Sequence, residues 1–296
     1  EEDDELLILA DDDSTIDFQT NKLFEPKDIA YTHHALEQKS KRILILGWHD
    51  VGNMFVRESD EYLKEGSEFD IMIQEPSETI IEHIKEIDEE YPNIKITLHK
   101  ENTLDIENLR KLNPYTYDNI IILSQNPEEK SAEKVDSDTL MILLLLRKIA
   151  KLENVEISTS DTKIITQVLN SDNQDLIIQT DVDDFIISNK LITMILAQLS
   201  EEPLIKKLYD DIFQEDGSEI YVKPASLYFD SFPVTHDFAT ILGQARKRDE
   251  ICLGIRFGGL SKNAEENFGV KLNPQKDAKF ELTENDFLVV LAEDEL

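Results

Sequence analysis

Apolar residues in this chain come in short blocks, and from residue 42 onward two kinds of block alternate. Unbroken runs at residues 42–46, 69–73, 94–98, 119–124, 163–169 and 184–187 are rich in Ile, Leu and Val, as strands buried on both faces are. Between them apolar residues recur at helical spacing: Val51, Met54, Phe55, Tyr62 and Leu63, then Ile80, Ile81, Ile84 and Ile87, then Leu104, Ile106 and Leu109. A longer helix over 139–152 is apolar nearly all round, which predicts burial against the sheet and a second surface. Pro76 and Pro92 mark the ends of a strand and a helix. Alternation of strand and helix at this spacing predicts a parallel sheet with helices on both faces.

Beyond residue 188 the pattern changes. Leu191, Ile192, Met194, Ile195, Leu196 and Leu199 cover more than one side of a helix, and Glu201-Glu202-Pro203 breaks it before a second helix carrying Leu204, Ile205, Leu208 and Ile212. A helix apolar on two sides, placed after the sheet is complete, needs something to cover its outer side. Either a second molecule does so, through Leu191, Ile192, Ile195, Leu199, Leu204 and Leu208, or the rest of this chain does. Residues 216–296 then read as a small α+β domain, with strands at 219–223, 251–257 and 286–292 around a helix at 238–247.

The two ends of the chain resemble each other. Asp4, Leu6, Leu9, Ala10 and Asp12 match Asp286, Leu288, Leu291, Ala292 and Asp294, so residues 1–17 read as the last strand of a preceding module. Residues 18–40 read as a linker, 41–188 as a Rossmann-like domain, 189–215 as the helix-turn-helix interface segment and 216–296 as the C-terminal domain.

The turn after the first strand holds the most legible candidate chemistry. In a dinucleotide-binding turn the first Gly bends the chain, the second admits a pyrophosphate and the third lets the helix pack closely. Gly47 and Gly52 fill the first and third places, but His49 stands in the second, where a side chain obstructs the phosphate. NAD is therefore disfavoured. Glu75, at the end of the second strand, stands where such domains keep the acid that meets a ribose hydroxyl, and reads equally well as a loop residue before Pro76. Asp136 and Asp138, and the group Asp181, Asp183 and Asp184, could gather on Ca²⁺, although acids at a helix start explain the first pair without a metal. His49, His83, His99 and His236 have no Ser or Cys beside them in a nucleophile motif, and His33-His34 would point to opposite sides of an extended linker. No enzyme is indicated.

Composition narrows the partners. The 63 acidic and 30 basic residues give a formal charge of -33, which repels nucleic acid and anionic lipid and attracts cations. Cys252 is the sole cysteine, which fits a reducing compartment, and the longest apolar run, 140–146, is far too short to span a bilayer.

Several segments together carry a resemblance: Ile43-Leu-Ile-Leu-Gly-Trp48, Leu143-Leu-Leu-Leu-Arg147, Asp216-Gly-Ser-Glu-Ile-Tyr-Val-Lys223, Leu227-Tyr228, Arg248-Asp-Glu-Ile-Cys-Leu-Gly-Ile255 and the strand from Asp286 to Leu291. From about Lys41 to the end, the chain resembles the cytosolic regions of the Castor and Pollux ion-channel family, related to regulator-of-potassium-conductance (RCK) domains. The resemblance implies tandem RCK modules hung on the cytoplasmic side of a membrane below a tetrameric pore, associating with one another as a dimer or tetrameric gating ring. It implies conduction of potassium or calcium, with Ca²⁺ a candidate regulator, and identifies no ligand residue here. The pore would lie upstream in the same protein. The competing expectation is a nucleotide-sensing subunit of a Trk-type potassium uptake system, encoded apart from its pore.

Overall fold

The computed structural model describes residues 26–30, 39–60, 63–123, 130–157, 160, 162–170, 173, 184–213, 217–261 and 263–293. The chain divides into two compact units, Gln38–Pro203 and a second that joins Leu204–Leu296 to the N-terminal stretch containing residues 26–30. The segment 189–215, read from sequence as one piece, is thus shared between them. The expected strand in residues 1–17 and the paired histidines lie outside the described residues.

The first unit is a six-stranded parallel sheet of β1 (Arg42–Leu46), β2 (Ser67–Met72), β3 (Ile94–His99), β4 (Asn119–Ile122), β5 (Lys163–Val168) and β6 (Asp184–Ile187), ordered β3-β2-β1-β4-β5-β6. The order reverses between β1 and β4, which opens a crevice at the carboxyl ends of those strands. Alternate residues serve opposite faces. Ile43, Ile45, Phe69, Ile71 and Ile121 pack beneath α1 (Asp50–Ser59) and α2 (Glu78–Glu90), through Val56, Ile84 and Ile87. Leu44, Leu46, Met72, Ile120, Ile122 and Val168 pack beneath α3 (Ile106–Lys111) and α4 (Ala132–Glu153), through Leu109, Ile142, Leu143, Leu146 and Ile149. Both faces being covered is what makes these strands read as apolar runs rather than alternating ones.

Helix α4 starts seven residues before the expected Thr139, capped by Ser131, whose hydroxyl accepts from the Lys134 N–H. Its polar first two turns hid that start. Among the described residues only one of its sides is covered: Met141, Leu144 and Leu152 are 48%, 50% and 55% exposed. The unit closes with α5 (Ser188–Glu201).

The second unit begins with α6 (Ile205–Ile212), followed by β7 (Glu219–Pro224), β8 (Val234–Asp237), α7 (Phe238–Arg246), β9 (Ile251–Arg256), β10 (Val270–Leu272), β11 (Lys279–Leu282) and β12 (Phe287–Ala292). An antiparallel sheet ordered β10-β9-β12-β7 puts the closing strand inside, and β8 pairs with β11 separately. Strands β8, β10 and β11 are three or four residues long and partly polar, too short to show a period in the sequence. Helix α7 covers one face through Phe238, Ile241 and Ala245, against Cys252, Leu288 and Val290. Cys252 serves as a packing residue there, and burial pushes its thiol up to about 12.

Beneath this face lies a buried ionic network drawn from the segments that carry the family resemblance. Glu250 accepts from Lys223 Nζ at 3.0 Å, from Arg248 Nε at 3.1 Å and from the Tyr228 hydroxyl. Lys223 and Tyr228 are 1% and 0% exposed. Burial, and then the Glu250 carboxylate, raises the Tyr228 hydroxyl far above its ordinary range, so it stays a donor. Gln244 on α7 donates to the Tyr228 carbonyl. The network ties edge strand β7 to the turn between α7 and β9. Asp286 is likewise buried, with its carboxylate accepting from Gly258 N, Thr283 N and Thr283 Oγ1.

Neutralising Glu250 leaves two buried cations without their shared anion, so Glu250→Gln should destabilise the C-terminal unit by about 3–5 kcal/mol. Hydrogen exchange of β7 and β12 amides reads this directly, and unchanged protection would contradict it.

Candidate functional site

The crest of the sheet is built first by Gly47. Its φ of +87° turns the chain out of β1, a conformation that favours glycine, and its N–H donates to the Met72 carbonyl at 3.0 Å. Trp48 then swings back into the core, 1% exposed, and packs with Ile43, Ile45 and Val56. A Cβ on Gly52 would lie 2.8 Å from the Trp48 ring. The third glycine of the apparent fingerprint is therefore there to admit an indole beneath α1.

His49 takes the N-cap of α1, where its Nδ1 accepts from the Val51 N–H at 3.4 Å, which places the ring proton on Nε2. Asp50 supplies negative charge in the first turn. The helix end that would face a pyrophosphate is thus met by the chain's own imidazole and carboxylate. Glu75 sits exposed at φ +48°, a left-handed conformation that costs a non-glycine residue on the order of 1–2 kcal/mol.

At the crest is a cavity of about 60 Å³, lined by Gly47, Gln74, Thr103, Lys130, Asp138 and Thr139 among others. Ligand pockets for drug-sized molecules run to roughly 300–1,000 Å³, so this one is sized for a few atoms. Of the sequence candidates Gly47 and Asp138 line it, while His49, Gly52, Glu75 and Asp136 do not. Lys130, Thr103 and Thr139 escaped sequence reasoning because they reach the crest from the loop after β3 and from in and before α4, with no local motif to connect them.

Asp138 is gripped by Lys130 at 2.9 Å and Lys134 at 2.8 Å. Burial alone would raise its carboxyl, but the two lysines outweigh that and hold it below its ordinary value. Asp136 turns elsewhere: buried, it accepts from Leu169 N, Asn170 N and Asn173 Nδ2 and so fastens the end of β5. The two acids have separate partners, and they stand in the second turn of α4 instead of at the helix start where the sequence pattern put them. Asp181 and Asp183 lie outside the described residues, and Asp184 opens β6. Among the described residues no group of three or more His, Cys, Asp or Glu could hold a metal ion. His99 meets Asp70 at 2.6 Å, and Asp70 also accepts from the Tyr117 hydroxyl at 2.8 Å; no Ser or Cys nucleophile joins that cluster among the bonds described.

The remaining candidates are apolar. On α5, Leu191 and Ile192 are 46% and 54% exposed, Met194 and Leu196 still more so, and Ile195 and Leu199 are half-buried. On α6, Leu204 at the N-cap is 54% exposed and Leu208 half-buried. Among the described residues no helix is long and apolar enough to cross a membrane.

Substituting Gly52→Ala puts a methyl group into the Trp48 ring. Overpacking of about 1–3 kcal/mol should exceed the gain in helix propensity of about 1 kcal/mol. Denaturant unfolding followed by the fluorescence of this sole tryptophan should show a lowered midpoint; an unchanged or raised one would mean that the indole is free to move aside.

No family model matches this sequence. It is 29% identical to the probable ion channel POLLUX of Arabidopsis thaliana over 88% of this chain and 35% of that protein. It is 26% identical to the ion channel CASTOR of Lotus japonicus over 100% of this chain and 37% of that protein. The chain thus spans little more than a third of the length of these relatives. Among solved structures, the human SLO3 gating ring superposes with a TM-score of 0.58 at 17% identity, covering 86% of this chain and 44% of that one. The chain is therefore similar in sequence to the Castor and Pollux ion channels over most of its length, and it shares the fold of a gating ring.

Proposed function

We propose that this chain is the cytosolic regulatory module of an ion channel, a non-enzymatic part that couples its own association and ligand state to the opening of a pore elsewhere in the full-length protein. The observation that carries the reading is the pairing of a match to nearly all of this chain with only about a third of a channel, at a gating-ring fold. The first βα turn supports it, since it is filled by Trp48 and His49 instead of presenting a phosphate cradle. The formal charge of -33 supports a cation pore, because such a surface enriches cations near it.

Modules of this kind would act through contacts with copies of themselves, and α5 supplies the surface. Leu191, Ile192, Met194 and Leu196 on this helix are all exposed in the described chain. A ligand in the crest cavity would favour one arrangement of neighbouring modules by no more than its difference in affinity for the two.

Light scattering on the 296-residue chain at micromolar concentration should give a dimer or larger species, and Leu191→Asp with Ile192→Asp should reduce it to a monomer of unchanged circular dichroism. A monomeric wild type would remove the association reading. The gene of the full-length protein should encode membrane spans upstream of this region; a separately encoded pore would instead favour the peripheral uptake subunit.

A further inference from the structure

Residues 26–29, part of the stretch that reads as a linker, lie along one face of α7. The Pro26 ring fills the place where a side chain on Gly243 would begin, with its Cβ 2.9 Å from that point. The Lys27 N–H donates to Thr240 Oγ1 at 3.2 Å, and Thr240 is fully buried. Lys247, just past the helix end, donates to Asp28 Oδ1 at 2.6 Å and to the Ile29 carbonyl at 2.7 Å. The Ile29 side chain packs, partly buried, against the C-terminal core.

Thr240, Gly243 and Lys247 stand at positions i, i+3 and i+7, which is one stripe of a helix. Between them they meet Lys27, Pro26, and Asp28 with Ile29, a segment more than two hundred positions away in sequence. Gly243 is the informative member. A glycine inside a helix costs about 1 kcal/mol against alanine, and the docked proline is what gives its missing side chain a use. The lysine serves two acceptors at once, so the clamp holds both a side chain and the backbone.

We infer that this stripe of α7 is a dock for the chain entering from the N-terminal side, which is fastened to the C-terminal unit at residues 26–29 before it reaches β1. Whatever precedes Pro26 then moves with α7 instead of hanging on a slack connection. The dock stands on these contacts alone; that it delivers force between modules of a gating ring rests on the function proposed above.

Hydrogen exchange by mass spectrometry on the 296-residue chain tests it. In the wild type, peptides covering residues 26–30 should exchange roughly tenfold or more slowly than an unstructured segment. Lys247→Gln should return them most of the way to the unprotected rate while the α7 interior, residues 241–245, keeps its protection. Gly243→Ala should do the same, although it favours the helix. If a variant also loses α7 protection, Asp28→Asn, which changes only an exposed carboxylate, carries the test and should still speed exchange at residues 26–30. Unprotected exchange of that segment in the wild type, or no change in the variants that keep α7 intact, overturns the dock. Neither result bears on association through α5, so the two readings fail separately.

Discussion

The Trp48 indole beneath α1 sets the character of the module. A strand-turn-helix of this kind can either leave its helix end open to a phosphate or close it with its own side chains, and the room made by Gly52 is taken by the ring. With the indole buried and His49 on the N-cap, the turn becomes a packing joint between β1 and α1. The rest of the sheet keeps the order of a dinucleotide-binding domain, including the crevice between β1 and β4, and the cavity that the described residues form there is small and lined by polar and apolar side chains alike.

The C-terminal unit reaches rigidity by another route. Its sheet has an edge strand, β7, half exposed along Ile220 and Val222, and such strands are prone to fray. Lys223, Tyr228, Arg248 and Glu250 pin that strand from inside with a network that tolerates no missing member. Residues 26–29 lie along the same helix that sends Gln244 to the Tyr228 carbonyl of this network.

Much of this was legible in the sequence, for a physical reason. Strands covered on both faces have to be continuously apolar, so β1 to β5 and their parallel arrangement follow from the runs at Ile43, Phe69, Ile94, Ile120 and Ile164. The outward-facing apolar residues of α5 were equally plain, because nothing in the local pattern could cover them. The site was less so. Gly47 is fixed by the turn it makes, but Lys130, Asp138 and Thr103 meet only after the chain has folded, and their spacing in sequence carries no sign of it. Glu75 was singled out by analogy with a dinucleotide-binding fold, and it stands exposed at a left-handed bend. The acids of α4 misled because a polar helix start looks like a loop, which shifted Asp136 and Asp138 from the helix interior to its apparent beginning.

The central claim is that this region regulates a pore without forming it, and single-channel recording of the full-length protein tests that most directly. With Leu191 and Ile192 replaced by aspartate, the open probability should change while the unitary conductance and ion selectivity stay as in the wild type. A changed conductance, or an open probability indifferent to the loss of the α5 surface, would contradict the account.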